Sequence, residues 1–382
     1  MISDHLRIAY VCTQDAQDRQ SLSGTPYHVV AALRKRHHTV RLISPLRRSL
    51  KYLYAPHKLL WNRTLQVDRQ PLMLASFAAQ IGRSLKNTDA DLVIAPSSIP
   101  IAYLECPQPI LWWTDAVYES MIDYYPGFDR RNARRAHQQE ESAMRRAAQV
   151  IYSSDWAARV ARTHYPEHTH KISVIAVGAN SEPPAIPERA PKPPYKLLFL
   201  GVDWQRKGGS IAVEATERMN LSGIPSTLRV VGCDIPRAEA HREYLEPHGF
   251  ISRRTPQGRA KLGELLVSSD LLLLPTRAEC AGIAFCEASA YGLPIVSTDT
   301  GGVSTYVVNG ASGVLLPPDA TPAQYASVMA EILSSPDVYA RLSRGARREF
   351  ETRLNWDAGV QTLLNLACPG SAQTRKPLGS GH

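Results

Sequence analysis

Short apolar runs alternate along the chain with stretches whose apolar residues recur every three or four positions. In the first half, Leu6–Cys12, Val40–Ile43, Leu92–Ala95, Ile110–Trp113, Val150–Tyr152 and Ile172–Ile175 read as strands, and helical spacing predicts helices over 26–36, 134–148 and 155–164. A second series follows, with strands at 196–200, 228–231, 271–274 and 295–297 and helices at 210–219, 258–267, 284–291, 322–333, 336–351 and 356–366. This alternation predicts α/β architecture: two tandem doubly wound domains, each with a parallel sheet and crossover helices. Between the series lies SEPPAIPERAPKPP, whose six prolines in residues 181–194 exclude helix and sheet and mark a linker. The predicted organisation is therefore an N-terminal domain over 1–180, the linker, and a second domain over 195–350. A terminal helix over 351–368, packing back on the first domain, and a disordered tail over 369–382 complete it.

Composition changes this picture little. Hydrophobic residues make up 44% of 382 and charged residues 21%, which is ordinary for globular proteins and excludes a collagen-like or wholly disordered chain. No run of eighteen uncharged apolar residues occurs and the start carries Asp4, so the expectation is a cytoplasmic protein without a leader or spanning helix. The six cysteines lack CxxC spacing and predict mostly buried thiols, neither a disulfide framework nor a zinc site.

Charge is more informative once divided. The net charge is +9, and residues 1–180 hold 23 Lys and Arg against 15 Asp and Glu, so nearly all the excess lies in the first half. Residues 34–69 alone contain ten basic residues and one acid, Asp68. Such a field attracts phosphates, acidic lipids or nucleic acid. Within it Leu46, Leu50, Leu53, Tyr54 and Leu60 recur at helical spacing among Arg47, Arg48, Lys51, Lys58 and Arg63, with Pro56 interrupting. The segment reads either as a basic amphipathic surface for anionic lipid or an anionic acceptor, or as an ordinary domain helix with a solvated face.

The sharpest chemical pattern is ECAGIAFCEA, followed by YGLP and DTGG. Glu279 follows a strand and Glu287 lies in the first turns of the next helix, so both carboxylates are expected at one crevice mouth. Carboxylates suit sugar or ribose hydroxyls, and the amides around Gly282 and Ile283 at a helix start suit an anion. Arg206-Lys207-Gly208-Gly209 lies between strand and helix, where two cations beside free amides can clamp a pyrophosphate. Asp115 ends a strand and is either a hydrogen-bond acceptor for a sugar or acceptor hydroxyl, or a helix cap. Gly24 opens a helix after the first strand. Asp89-Ala-Asp91 could suggest a metal-binding DxD, but it precedes its strand and reads as a turn. The twelve histidines show no ligand spacing, so no metal and no cofactor is expected.

The segment DLLLLPTRAECAGIAFCEASAYGLPIVSTDTGG, together with AAQVIYSSDWAARVA, KISVIAVGAN, FLGVDWQRKGG and Asn355-Trp356, resembles the retaining glycosyltransferases of family 4, which have the two-domain GT-B fold. The resemblance implies that the second domain binds a UDP- or GDP-sugar and the first an acceptor. It implies that Glu287 holds the ribose, Glu279 contacts the transferred sugar, Arg206 and Lys207 neutralise the leaving diphosphate, and Gly24 and Gly201 line the donor phosphates. Divalent metal then becomes unnecessary. Ala281 stands where the family usually has an aromatic, Gly24 where it often has paired glycines, and Asp115 where many relatives carry a His. A nucleotide-sugar epimerase of the same fold would lack an acceptor site. A basic nucleic-acid-binding protein is the third reading, and no aromatic-basic interleaving supports it; no nucleic acid is expected as partner.

Overall fold

The computed structural model describes residues 5–56, 65–181 and 189–367. The first six strands, β1 (Arg7–Val11), β2 (Thr39–Ile43), β3 (Leu92–Ala95), β4 (Ile110–Thr114), β5 (Gln149–Tyr152) and β6 (Ile172–Val174), form one sheet in the order β2-β1-β3-β4-β5-β6. Every pairing is parallel, with Ile8 opposite both Val40 and Leu92. Helices α1 (Thr25–Lys35), α2 (Pro71–Lys86), α3 (Arg130–Arg146) and α4 (Asp155–His164) complete this layer structure. Sheets covered on both faces need strands that are apolar throughout, and β3, fully buried as LVIA, shows why these runs lack alternation.

The second sheet contains β7 (Tyr195–Leu200), β8 (Ser226–Val231), β9 (Leu245–Gly249), β10 (Leu271–Leu274), β11 (Ile295–Thr298) and β12 (Gly313–Leu316), in the order β12-β11-β10-β7-β8-β9 and again parallel. Its helices are α5 (Gly209–Leu221), α6 (Pro256–Val267), α7 (Ile283–Ala290), α8 (Pro322–Ser334) and α9 (Pro336–Thr352). Strand order reverses between β1 and β3 in the first sheet and between β7 and β10 in the second. Open α/β sheets form ligand crevices at such switch points, outside the carboxyl ends of the strands.

A last helix, α10 (Trp356–Ala367), returns to the first domain. Trp356 stacks on His28 at 6.0 Å and meets Trp113 edge-on at 5.9 Å, its indole N–H donates to Asn180 at 3.1 Å, and Arg36 pairs with Asp357 at 2.8 Å. In the linker, Arg189 donates to the carbonyls of Leu266, Ser269 and Tyr291, so this part of it is fixed to the second domain.

Several elements were not in the sequence reading. Strand β9 reads LEPHG, with Pro247 and His248 in place of an apolar run, and β12 is only GVLL; edge strands need less burial than central ones. Helix α2, absent from the reading, buries Met73, Leu74, Phe77, Ile81 and Leu85 at helical spacing. The described residues of the run beginning at Leu46 form a stretch of 3₁₀ helix, Ser49–Tyr54, followed by α-helical residues at Ala55 and Pro56, with Leu46 buried and Leu53 64% exposed. Lys58, Leu60 and Arg63 lie outside the described residues, as does the tail over 369–382.

Candidate functional site

The site is built on the two loops that leave β7 and β10. After β7, Gly201 allows the aliphatic stem of Lys207 to pass; a Cβ there would stand 2.7 Å from Lys207 Cγ. The loop then turns back, the Arg206 amide donating to Asp203 Oδ1 at 3.0 Å, and reaches Gly208 at φ +75. A Cβ at 208 would lie 2.0 Å from the carbonyl oxygen of Pro275, so glycine is required both for the left-handed backbone and for contact with the neighbouring loop. Helix α5 starts at Gly209, placing Arg206 and Lys207 beside its amino end. The Lys207 ammonium, 7% exposed, is ion-paired with Glu279, itself 5% exposed. Arg206 donates to the Ala278 carbonyl at 3.0 Å and approaches Glu279 to 4.0 Å.

After β10 the chain carries Glu279 and then begins α7, with Gly282 at its N-cap. The first amides of a helix have no partner within it and carry its positive dipole end. Glu287 does not stand open at the crevice mouth, in contrast to the sequence expectation. It is fully buried on α7, and both carboxylate oxygens are held by Arg253, at 2.6 and 2.7 Å. Burial pushes its carboxyl pKa up, and Arg253 opposes that shift. A small recess lined by Arg19, Asn180, Arg253, Arg259 and Glu287 joins these groups.

The first domain supplies the facing wall. Leu22, Ser23 and Gly24 occupy left-handed backbone in succession, with φ 47, 58 and 86, and Gly24 is the N-cap of α1. Non-glycine residues hold such conformations only where the surroundings enforce them, here partly through Asn180, whose amide donates to the Ser23 carbonyl at 2.7 Å. The preceding loop meets the second domain: Gln20 donates to Ser252 at 3.0 Å and Arg254 forks onto Asp18 at 2.5 and 2.8 Å. That fork, with the Gln20 amide, lowers the Asp18 carboxyl to a pKa of about 2.

Asp115 follows β4 and lies near enough to Glu279 to feel its charge. Val117, and not Asp115, occupies the N-cap of the short helix Tyr118–Met121, so the cap reading does not hold. The residue is exposed, yet burial of its carboxyl is the largest influence on its titration. The resulting loss of hydration pushes its pKa up to about 6; the Ser153 hydroxyl opposes the shift and the charge of Glu279 adds to it. Asp89 and Asp91 are bound to Arg7 at the start of the sheet and take no part in the site.

Between these walls lies a cavity of ≈ 350 Å³ lined by Arg19, Gly201, Arg206, Lys207, Glu279 and Ile283, among others. Cations, helix-start amides and a carboxylate share one concave surface, which suits a ligand with a diphosphate at one end and hydroxyls at the other. Among the described residues no three His, Cys, Asp or Glu side chains stand together as metal ligands. Arg47, Arg48 and Lys51 belong to a separate exposed surface of the first domain. Reading the sequence missed Arg253, Arg19, Tyr124 and Tyr125. Arg253 follows the unpredicted β9, and the only available signal was the paired cations of SRRTP immediately before a Pro-initiated helix.

Residues 185–349 match the family described as glycosyl transferases group 1, and residues 25–182 match glycosyltransferase family 4. This chain belongs to the family 4 glycosyltransferases. Among curated members, it is 30% identical over 188 residues to D-inositol 3-phosphate glycosyltransferase of Thermomonospora curvata, covering 46% of this chain and 43% of the relative. It is 31% identical over 164 residues to the lipopolysaccharide glucosyltransferase WaaG of Escherichia coli, covering 41% and 42%. The chain thus matches less than half the length of either relative. The fold is that of solved GT-B enzymes. The WaaG crystal structure superposes with a TM-score of 0.67 at 19% identity, covering 95% of this chain and all of that one. HepE of Anabaena, solved in complex with UDP-glucose, superposes at 0.61 with 16% identity, covering 94% and 99%.

Proposed function

We propose that this family 4 glycosyltransferase moves a sugar from a UDP- or GDP-sugar to an acceptor hydroxyl with retention of anomeric configuration. The observation that carries the reading is the ion pair of Lys207 with Glu279 beside Arg206 at the start of α5. The cations are already placed around a cavity and are neutralised there by a carboxylate that a diphosphate can replace. Glu279 is then free to accept from sugar hydroxyls, while Glu287 and Arg253 form the end of the site that takes the ribose. The bond from the anomeric carbon to the leaving phosphate oxygen breaks as the acceptor oxygen bonds to the same face. The acceptor's proton passes to the leaving phosphate. Arg206, Lys207 and the helix-start amides stabilise the growing negative charge, so the task of the protein is electrostatic and positional.

Donor identity is tested by thermal stabilisation with UDP-, GDP- and ADP-sugars. A donor present at a hundred times its dissociation constant should add about 2.7 kcal/mol. No shift with any of them would overturn the reading. With the clamp made by Arg206 and Lys207, activity is expected to survive EDTA; loss on chelation and recovery with magnesium or manganese would assign the diphosphate to a metal instead.

The same reading places the acceptor on the first domain, at an anionic lipid surface. Arg47, Arg48 and Lys51 are exposed beside Tyr52 and Leu53, which are 71% and 64% exposed, and Leu72 at the start of α2 is 56% exposed. The surface continues through the segment Val67–Arg69 to Arg130, Arg131, Arg134 and Arg135 on α3, all exposed, and Arg48 reaches into that segment at Asp68. Cations above exposed aliphatic and aromatic side chains match phosphate head groups over acyl chains. No described helix is long and apolar enough to cross a membrane, so attachment through this face would be peripheral.

A further inference from the structure

Tyr124 and Tyr125 extend from the first domain into the second domain's site. The Tyr124 hydroxyl accepts from the Glu279 amide at 3.0 Å and lies 3.1 Å from the Thr300 hydroxyl, and its ring packs on Trp156 at 5.1 Å. The Tyr125 ring lies under the Arg206 guanidinium, 4.9 Å away. Its hydroxyl accepts from Arg206 Nη1 at 3.2 Å and donates to Glu279 Oε1 at 3.3 Å. One phenol therefore connects a cation of the clamp to the carboxylate that faces it, and does so from the opposite domain.

The segment that carries the two tyrosines is fixed at its base. The Tyr118 amide donates to both oxygens of Glu140, at 3.0 and 3.2 Å, and that buried carboxylate also accepts from the Tyr165 hydroxyl at 3.1 Å and pairs with Arg69 at 3.4 Å. From there the amides of Tyr124 and Tyr125 both donate to the Met121 carbonyl. The hydroxyl of Tyr125 is thus placed by the framework of the first domain and not by a loop of the second.

We propose that Tyr125 is a positioning residue through which the first domain completes the donor site. Its hydroxyl orients Arg206 and Glu279 only when the two domains are together, so the charge clamp reaches its working geometry in the closed molecule and is incomplete in an open one. The inference rests on the transferase reading above. It assigns to Tyr125 no contact with the nucleotide, whose ribose end lies at Glu287 and Arg253. Loss of the hydroxyl should therefore change turnover and leave nucleotide affinity intact, because an interaction made only in the assembled site contributes to the transition state and not to initial binding.

Tyr125→Phe keeps the ring under Arg206 and removes only the hydroxyl. Turnover with the best donor is expected to fall about tenfold, while calorimetric affinity for the nucleoside diphosphate and the melting temperature stay within twofold and a degree or so of wild type. In an Arg206→Ala background the same change should cost clearly less than tenfold, because one of the two partners through which it acts is gone. Normal turnover in Tyr125→Phe, a parallel loss of nucleotide affinity, or a second full tenfold loss in the Arg206→Ala background would each overturn the assignment. A wild-type enzyme that turns over no donor would instead remove the transferase reading itself, and the inference with it.

Discussion

Glu287 illustrates how far a single residue's role depends on what surrounds it. A fully buried carboxylate is tolerated because Arg253 neutralises it, and a ligand hydroxyl entering the recess must share the pair. Glu287→Gln should therefore weaken nucleotide binding by about 1.5–3 kcal/mol, the cost of losing a hydrogen bond to a charged group, as read by calorimetry; unchanged affinity would place the ribose elsewhere. Lys207→Ala should act mainly on turnover, since in the proposed reaction negative charge on the diphosphate grows as the bond from the anomeric carbon to the phosphate oxygen breaks; a rise in KM alone would make the cation a ground-state binder. Asp115 supplies a pH dependence whose sign is fixed. Its folded pKa, about 6, lies above the ordinary 3.8, so the native state holds the proton more tightly than the unfolded chain. Stability from this group declines as pH rises from about 4 through 6, while a carboxylate accepting a hydroxyl's hydrogen bond gains function over the same interval. Asp115→Asn is expected to raise the melting temperature above pH 6 and to flatten the acid limb of the activity profile. A variant less stable than wild type at pH 8 would show that Asp115 is stabilised by its surroundings.

Among the elements, the loop after β7 places the clamp, and its geometry depends on Gly208. Gly208→Ala forces a Cβ into the Pro275 carbonyl and adds the left-handed penalty of about 1–2 kcal/mol, so thermal unfolding should show a loss greater than that penalty alone; a melting temperature equal to wild type would mean the loop adopts another course. The central strands and the loops at their carboxyl ends were legible in the sequence because burial on both faces writes itself as uninterrupted Leu, Ile and Val. Arg206, Lys207, Glu279 and Gly282 could be singled out for the same reason, since each sits one short loop beyond such a strand. Edge strand β9 carries a proline and a histidine, so its pattern is silent and Arg253 beyond it was missed. Tyr124 and Tyr125 were missed for a different reason: their partners in the second domain lie 81 to 176 positions away in the chain, and no local period encodes a contact across two domains. Of the basic segment, the described residues form a 3₁₀ stretch that leaves Arg47, Arg48, Lys51 and Leu53 exposed, while Lys58, Leu60 and Arg63 lie outside them.

At the scale of the molecule, the two domains divide the charge. Residues 181–382 are close to neutral, with 21 Lys and Arg against 20 Asp and Glu, and the cations of the site there are matched by Glu279 and Glu287, so the surplus lies in the first half. Each cation near an anionic membrane contributes about 1 kcal/mol, so a handful acting together would give reversible attachment. Flotation with liposomes of graded anionic lipid content should show binding that weakens with salt and is lost when Arg47, Arg48, Lys51 and Lys58 are changed to Ser; binding untouched by that fourfold change would point to a soluble acceptor. Contacts across the cleft, Asp18 with Arg254 and Tyr125 with Arg206 and Glu279, place first-domain groups at a site built mainly from the second. The most direct test of that arrangement is proton NMR of the anomeric signals as the enzyme consumes its best UDP- or GDP-sugar in the presence of EDTA, with transfer to water or to added acceptor. The expected result is steady loss of donor and a first-formed product with the donor's own anomeric configuration. An inverted anomer, an epimeric nucleotide-sugar formed without acceptor, or no consumption until a divalent metal is added would contradict it.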